Sequence, residues 1–141
     1  MIEATCSQRD AASVLFNLPG YRVLEAVDSP LGVRRVLVES TDPEGGCPSC
    51  GVLTSRVHQR TLQRLRDVPV AGPVLVLWRK RRFVCAETAC GRRTFAEETG
   101  QVPFRARCTT RLRQAVLGAV TGAGRAVGEV AGAYGVAWWT V

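Results

Sequence analysis

Several residue types that serve catalysis and metal binding are scarce in this chain of 141 residues. There is one histidine, His58, so histidine-rich metal sites and most histidine-based catalysis are disfavoured. Lysine is equally rare, because 18 of the 19 basic residues are arginines and Lys80 is the exception. Aromatic residues make up 6%, and no run reaches the roughly 18 uninterrupted apolar residues that indicate a transmembrane helix. With 46% hydrophobic and 22% charged residues, the composition is that of a globular protein rather than a disordered chain.

The first residues also lack the features of an export signal. Residues 1–5 contain no basic residue followed by an apolar stretch, so they do not resemble a secretory signal peptide. We therefore expect a cytoplasmic protein without a membrane segment. In the reducing cytoplasm, the six cysteines of the chain are expected to bind a metal or to pack in the interior, and disulfides are the alternative.

The chain does contain two pairs of closely spaced cysteines. The pattern is Cys47-x2-Cys50 and, 34 residues later, Cys85-x4-Cys90. Two thiolates on a tight turn reach one cation, and two such knuckles at the tips of β-hairpins complete a tetrahedral zinc site. Four thiolates leave no open coordination position, so the sequence predicts one structural Zn²⁺ and no catalytic metal.

Glycine follows the second cysteine of each pair, at Gly51 and Gly91. Because glycine adopts a positive φ at low cost, we expect both residues to occupy left-handed turns of the knuckles. Cys6 and Cys108 have no partner at a matching spacing and are predicted to be free packing cysteines. The metal site is complete without His58, which we interpret as a surface residue on a strand.

The charge of the chain is concentrated in its middle. The net formal charge is +7, but residues 1–55 carry −3 and residues 114–141 carry none. Residues 56–113 therefore carry +10, from 14 basic and four acidic residues. Such a segment is typical of a surface that binds a polyanion, and nucleic acid is the partner we expect. The alternative is a solvated basic face without a partner.

The basic residues closest to the cysteines form two short runs. Residues 79–82 lead into the second pair and residues 92–93 leave it, so we expect antiparallel neighbours whose charges converge on one edge. Arginine forks suit phosphate oxygens. The predicted DNA contacts in these runs are Arg79, Lys80, Arg81, Arg82, Arg92 and Arg93. A charged sheet edge that opposes aggregation is the alternative interpretation.

Apolar periodicity and turn residues predict an α+β fold in which strands precede helices. Strands are expected at 21–27, 33–39, 52–58, 74–84 and 94–96, and a short helix at 10–17. Residues 60–66 are interpreted only as a polar, basic stretch, and residues 109–141 as helices. The predicted organisation is an N-terminal lead-in (1–17), a β-rich, zinc-ribbon-like domain (18–102) and a C-terminal helical segment (103–141).

The helical segment carries a helix-turn-helix pattern. Thr109 or Thr110 is expected to cap its first helix. The interval Ala131-x3-Gly135-x5-Val141 places a small residue, a turn glycine and a branched apolar residue where two crossing helices need them. The start of the recognition helix then exposes three candidate DNA contacts, which are Ala137, Trp138 and Thr140. A plain helical hairpin is the alternative.

Six blocks of sequence carry a resemblance to a known family: LPGYRVL at 18–24, CPSCG at 47–51, RKRRFVC at 79–85, CGRRTFAE at 90–97, VGEVA at 127–131 and GVAWWTV at 135–141. On these blocks, residues 18–141 resemble the N-terminal part of the transposases of the ISL-three insertion-sequence family, whose catalytic class is DDE. The resemblance implies a zinc-binding domain followed by a helix-turn-helix, with Cys47, Cys50, Cys85 and Cys90 as zinc ligands. It also implies that the partner is double-stranded DNA at the terminal inverted repeats of the element.

In that family a catalytic domain follows the helix-turn-helix. We expect this chain to be a truncated transposase that stops inside the presumed recognition helix and is not an enzyme. The DDE class uses three carboxylates to hold a pair of metal ions, whereas the four aspartates here do not lie in a buried parallel-strand pattern; they are Asp10, Asp28, Asp42 and Asp67. The fragment is expected to bind element ends on the nucleoid and to pair with full-length transposase.

Two other functions fit the same residues. A transcription regulator with a zinc ribbon and a helix-turn-helix shares the salt-dependent DNA binding but prefers a promoter to element ends. A zinc-ribbon module that binds RNA or protein binds RNA at least as well as DNA.

Overall fold

A computed structural model describes residues 9–141, which form a mixed α+β fold as predicted. Residues 1–8, including Cys6, lie outside the described part of the chain. The elements are, in chain order, α1 (Ala11–Phe16), β1 (Tyr21–Asp28), β2 (Arg34–Ser40), β3 (Gly45–Gly46), β4 (Leu53–Thr54), β5 (Val57–Arg66), β6 (Val74–Val84), β7 (Thr94–Ala96), α2 (Thr110–Thr121), α3 (Val127–Tyr134) and a 3₁₀ turn (Trp138–Thr140). The bounds of β6 and β7 coincide with the predicted strands, and those of β1 and β2 differ by one residue.

Five strands form the main sheet, in which β6 is the central element. The strand order is β1-β2-β6-β5, and β7 pairs with the last three residues of β6. The β1–β2, β5–β6 and β6–β7 pairs are antiparallel, but β2 and β6 are parallel. β3 and β4 form a separate two-stranded ribbon. β5 is therefore an edge strand of the main sheet.

β5 is longer than the sequence predicts. It runs over ten residues, whereas the sequence predicts a strand only up to residue 58 and a polar stretch at 60–66. Leu65 is the buried residue of this strand, and a register shift beside His58 interrupts its pairing with β6. His58 is exposed, as predicted. Because one buried side chain creates no apolar alternation, the strand depends on its backbone pairing with β6 rather than on a pattern visible in the sequence.

The main core lies on one face of the sheet and surrounds Trp78, which is fully buried. Val76 packs in the same cluster, and the Tyr21 ring contacts Trp78 edge-on with centroids 5.5 Å apart. Phe16 from the predicted lead-in and Ala106 from the predicted helical segment are also buried in this cluster. One core thus extends across the segments that the sequence separates.

The C-terminal helices pack on a core of their own, in which Leu112, Val116 and Val130 are buried. Thr109 caps α2, since its hydroxyl oxygen accepts a hydrogen bond from the Leu112 backbone N–H at 3.3 Å. Gly135 ends α3 with a φ of 65°, a left-handed conformation that glycine adopts at low cost. The predicted cap and the predicted turn glycine are both confirmed. Among the described residues, no helix combines the length and the apolar character needed to cross a membrane.

An internal ion pair holds α2 against the end of β5. The buried Asp67 carboxylate accepts hydrogen bonds from Arg111 Nε at 2.8 Å, Arg111 Nη2 at 2.5 Å and Thr109 Oγ1 at 2.6 Å. The same guanidinium donates to the backbone carbonyls of Phe16 and Asn17 at the end of α1. α1, the sheet and α2 therefore meet at one arginine, whose charge is matched by a bidentate carboxylate.

Candidate metal centre and basic surfaces

The four predicted zinc ligands come together in one cluster. The Sγ atoms of Cys47, Cys50, Cys85 and Cys90 all lie within 4.8 Å of one another. Those of Cys47 and Cys90 are 3.9 Å apart, and those of Cys50 and Cys85 are 3.6 Å apart. A tetrahedron of sulfurs at the usual Zn–S distance of about 2.3 Å has edges of about 3.8 Å, so the cluster fits one zinc ion. Four sulfur donors are also a usual ligand set of structural zinc.

The first knuckle is the turn between β3 and β4. The Cys47 backbone N–H donates to the Val52 carbonyl at 3.1 Å, and the Gly51 N–H donates to the Cys47 carbonyl at 2.8 Å. Gly51 has a φ of 74°, so the left-handed conformation predicted for this glycine is confirmed. Together these features close the turn that carries the first two ligands.

The second knuckle joins β6 to β7 and is wider. The Cys85 N–H donates to the Arg93 carbonyl at 2.9 Å, and the Cys90 N–H donates to the Glu87 carbonyl at 3.1 Å. Gly91 does not adopt a positive φ, so the prediction of a left-handed turn is wrong at this position. The longer spacing allows the chain to reverse in the turn from Glu87 to Cys90, and no left-handed residue is needed after it.

A small apolar cluster packs against the metal centre. Cys47 is 2% exposed and lies with the buried rings of Phe83 and Phe95, whose centroids are 5.6 Å apart. Gly45 lies close to this cluster, because a Cβ built there would be 2.6 Å from Phe83 Cε2. Cys50, in contrast, is exposed. We call this part of the molecule the zinc end: the two knuckles with their four cysteines, and the Phe83–Phe95 cluster beneath them.

Without a cation, the thiols of Cys47 and Cys85 do not ionise equally. Burial acts to raise the pKa of Cys47, but hydrogen bonds from the backbone of Cys50 and Ser49 and from neighbouring thiols lower it to about 6. Hydrogen bonding to the Glu87 backbone acts to lower the pKa of Cys85, yet burial and the other three cysteines raise it to about 12. Binding of a zinc ion at neutral pH therefore displaces a proton at Cys85, because metal ligands bind as thiolates.

Strand alternation divides the basic run that precedes the second knuckle. Arg79 and Arg81 lie on the outer face of β6, away from the main core. Lys80 and Arg82 lie on the opposite face of β6. Near the start of the strand, this is the face that packs on the main core. The antiparallel pairing of β6 with β7 is as predicted. The charges of the run, however, do not converge on one edge, because a pleated strand sends successive side chains to opposite faces.

Arg81 is used inside the fold. Its Nη2 lies 2.9 Å from Glu97 Oε2, and its backbone N–H donates to Glu97 Oε1 at 2.8 Å. Nη2 also donates to Ser40 Oγ and to the Asp42 carbonyl, and the guanidinium lies 4.7 Å from the centroid of the Phe83 ring. With 14% of its side chain exposed, this arginine joins the end of β2 to β6 and the zinc end.

The remaining cations of the two runs lie outside the ion pairs of the described residues. Neutral side chains hold three of them: Lys80 Nζ donates to Gln63 at 3.1 Å, Arg82 Nε to Thr94 at 2.9 Å and Arg92 Nε to Ser49 at 2.9 Å. Arg92 thereby connects the two knuckles, since Ser49 belongs to the first. Arg79 and Arg93 are exposed.

The three candidate DNA contacts at the end of the chain lie beyond α3. Trp138 is 66% exposed in the 3₁₀ turn. Ala137 and Thr140 instead line a groove between this turn and α2. Cys108 packs against the core of the two helices as a free cysteine, as predicted. A helical pair followed by a glycine turn fits both the helix-turn-helix and the plain-hairpin interpretation.

Comparison with known protein families identifies the metal centre. Residues 43–90, about a third of the chain, match the sequence model of the zinc finger of transposases IS204/IS1001/IS1096/IS1165. These residues are similar to the zinc ribbon of ISL3 transposases, and we refer to residues 43–90 as the ISL3-type zinc ribbon. The match begins just before the first knuckle and ends at Cys90, so the ISL3-type zinc ribbon contains all four ligands. Neither a curated protein nor a solved structure matches the chain significantly.

The ISL3-type zinc ribbon also contains a basic surface that the sequence interpretation did not select. Arg60, Arg64 and Arg66 occupy three of the four alternate positions from 60 to 66 on β5, with Leu62 at the fourth, and all three arginines are exposed. Their separations of four and two residues are visible in the sequence. It indicates a common face only when residues 57–66 are known to form a strand, because the side-chain period differs between strands, helices and loops.

Proposed function

We propose that this chain is the DNA-binding N-terminal part of an insertion-sequence transposase and that it binds the double-stranded ends of the element. The observation that carries the proposal is the ISL3-type zinc ribbon, whose four cysteines are assembled for one zinc ion. Transposases act on DNA, and the zinc ribbon lies largely within the basic middle of the chain, so DNA is the ligand that its charge and its family both favour.

The distribution of ion pairs supports a polyanionic ligand. Of the 14 basic and four acidic residues within 56–113, two of each are used in the internal pairs Arg81–Glu97 and Arg111–Asp67. Twelve basic residues and two carboxylates remain. An excess of this size goes beyond the few charges that protect a sheet edge. This excess of positive charge favours a surface that gains affinity for DNA by neutralising phosphates and releasing their counterions.

The helical pair supports a contribution from the end of the chain. Gly135 is left-handed after α3, and Tyr134 and Val136 on either side of it pack on the helical core. We propose that α3 is the first helix of a helix-turn-helix and that residues from 137 onward begin its recognition helix, with contacts from Ala137, Trp138 and Thr140.

The same proposal assigns no strand cleavage to these residues. Asp67 is buried in its pair with Arg111, Asp28 is paired with Arg34, and the Asp10 carboxylate caps α1. These carboxylates are dispersed and already engaged, whereas DDE chemistry needs a cluster that holds two metal ions. In this view the chain occupies element ends on the cytoplasmic nucleoid, alone or together with full-length transposase.

Binding measurements with zinc-loaded protein test the proposal. The probes are a DNA duplex with terminal inverted repeats of an ISL3-type element, a scrambled DNA duplex and an RNA duplex, each at several salt concentrations. We expect DNA binding that weakens steeply with salt, and no metal-dependent nicking of either DNA. Equal or tighter binding to RNA would favour the RNA-binding module instead, and binding that does not depend on salt would contradict the proposal.

A further inference from the structure

Three arginines form a row on the exposed face of an edge strand. Leu65 of β5 is 1% exposed and belongs to the main core, so the even-numbered residues Arg60, Arg64 and Arg66 lie on the opposite, outer face. At about 3.4 Å per residue, the strand covers about 20 Å from the first of these arginines to the last. B-DNA rises about 3.4 Å per base pair, so the row is as long as about six base pairs measured along the axis, a little over half a turn of duplex.

The row continues onto the segment that leads into α2. The Arg66 backbone N–H donates to the Arg107 carbonyl at 3.1 Å, and the Thr109 N–H donates to the Arg66 carbonyl at 3.0 Å. Arg66, Arg107 and Arg113 line the groove of about 660 Å³ described above, whose other walls are apolar side chains of α2 and residues in and beside the 3₁₀ turn. The strand and the helix thus present their arginines side by side.

These five arginines have no carboxylate partner within residues 9–141. The ion pairs of the described residues involve other arginines. Nor does an acidic side chain line the groove. A row that served only to protect an edge strand from aggregation would have no reason to continue onto a helix.

A buried ion pair fixes the joint between the two halves of the row. Asp67 follows Arg66 in the chain, and its carboxylate is held by Thr109 and Arg111 at the start of α2. The other end of β5 is held at the zinc end, where Val57 packs with Phe83. Both halves are therefore held in one arrangement before a ligand binds, which lowers the ordering cost of binding.

We propose that Arg60, Arg64, Arg66, Arg107 and Arg113 form a continuous basic track that binds the phosphate backbone of one DNA duplex. The inference rests on the DNA-binding function proposed above and deepens it. The main phosphate contacts move from the zinc knuckles to the edge strand and the first turns of α2. The zinc end then supports the track through β5 rather than binding most of the DNA itself.

Three double variants that remove equal charge test the track: Arg60→Gln with Arg64→Gln, Arg107→Gln with Arg113→Gln, and, as the matched control at the second knuckle, Arg92→Gln with Arg93→Gln. The affinity of each zinc-loaded protein for one DNA duplex is measured against salt concentration. Each phosphate contact contributes about 0.9 to the slope of log K against log[salt], so each track variant is expected to reduce that slope by about 1.8. The control is expected to reduce it much less.

A charge-preserving variant separates phosphate binding from structural damage. Arg60→Lys with Arg64→Lys is expected to keep most of the salt slope, while zinc content and circular dichroism of all variants stay at the wild-type level. A knuckle variant that lowers the slope while both track variants keep it overturns the track, although DNA binding stands. If only one of the two track variants reduces the salt slope, the two halves do not form one continuous track. If the wild-type chain shows no salt-dependent binding to the duplex, the proposed DNA-binding function itself is wrong.

Discussion

The two ends of β6 are buried in cores of different construction. Val76 and Trp78, near its start, belong to a main core that contains eleven buried residues of the described part of the chain, from the sheet, α1 and the following loops. Phe83, near its end, shares its buried cluster with Cys47 and Phe95 alone among residues 9–141. Fully burying an apolar side chain contributes about 1.5–3 kcal/mol, and ordering each residue costs about as much, so three such side chains do not hold two knuckles in place. One strand is thus stabilised by hydrophobic burial at one end and by a metal site at the other.

Removal of a zinc ligand is expected to have the largest effect, and to break the zinc end alone. With Cys85→Ser, we expect bound zinc to fall from one equivalent to nearly none, because three thiolates do not complete a four-coordinate structural site. The zinc end then loses the roughly 10–16 kcal/mol of folding free energy that a structural zinc contributes. Backbone amides of the knuckles should then exchange rapidly while those of β2 and the first half of β6 stay protected. Elemental analysis and hydrogen exchange measure both effects. Cys108→Ser is the control, and zinc loss there or full zinc in Cys85→Ser would show a different ligand set.

A cavity in the main core is expected to give the converse result. Leu65→Ala removes a side chain that is 1% exposed, so the free energy of unfolding should fall by about 2–5 kcal/mol while the zinc content stays at one equivalent. Leu62→Ala on the same strand is the matched control, because Leu62 is 63% exposed and should change stability by less than about 0.5 kcal/mol. Denaturant unfolding compares the two variants. Equal losses in both would mean that the two faces of β5 are buried alike.

A single methyl group tests how tightly the zinc end is packed. In Gly45→Ala the new Cβ would lie 2.6 Å from the Phe83 ring, whereas in Gly46→Ala it would lie 3.6 Å from the Leu53 side chain. We expect the first substitution to cost about 1–3 kcal/mol and to speed the transfer of zinc to a chelator, and the second to do neither. Similar zinc-transfer rates in both variants would argue against a close-packed cluster beneath the metal.

Mild acid is expected to affect the zinc end before the main core. Zinc binds thiolates, and a Cys85 thiol with a pKa raised to about 12 in the absence of a cation gives up its proton when the ion binds. Protons therefore compete with zinc, so affinity should rise with pH across the neutral range and fall as pH is lowered. Chelator absorbance at a series of pH values measures the release. A zinc affinity that does not change with pH would contradict thiolate ligation.

Features that depend on residues close together in the chain could be predicted. The spacing of Cys47 with Cys50 and of the second cysteine pair indicates a metal site, and the family match over residues 43–90 confirms it. The run of apolar residues in β6 and the hydroxyl of Thr109 before α2 are similarly local. Gly91 shows where the same reasoning stops, because its conformation depends on the turn before Cys90 and not on being a glycine.

The sequence by itself determined the ligand set, the bounds of α1, β1, β2, β6 and β7 to within one residue, and the sign of the charge. These features follow from residue type, spacing and periodicity. Only the tertiary structure decided which arginines are free. Arg81 and Glu97 are 16 residues apart, and Arg111 and Asp67 are 44 apart, yet each pair is joined inside the fold. The face on which the β5 arginines lie was decided in the same way, by pairing with β6. The physical reason is that the energy of a charge depends on the atoms that replace its water, and those atoms come from distant parts of the chain.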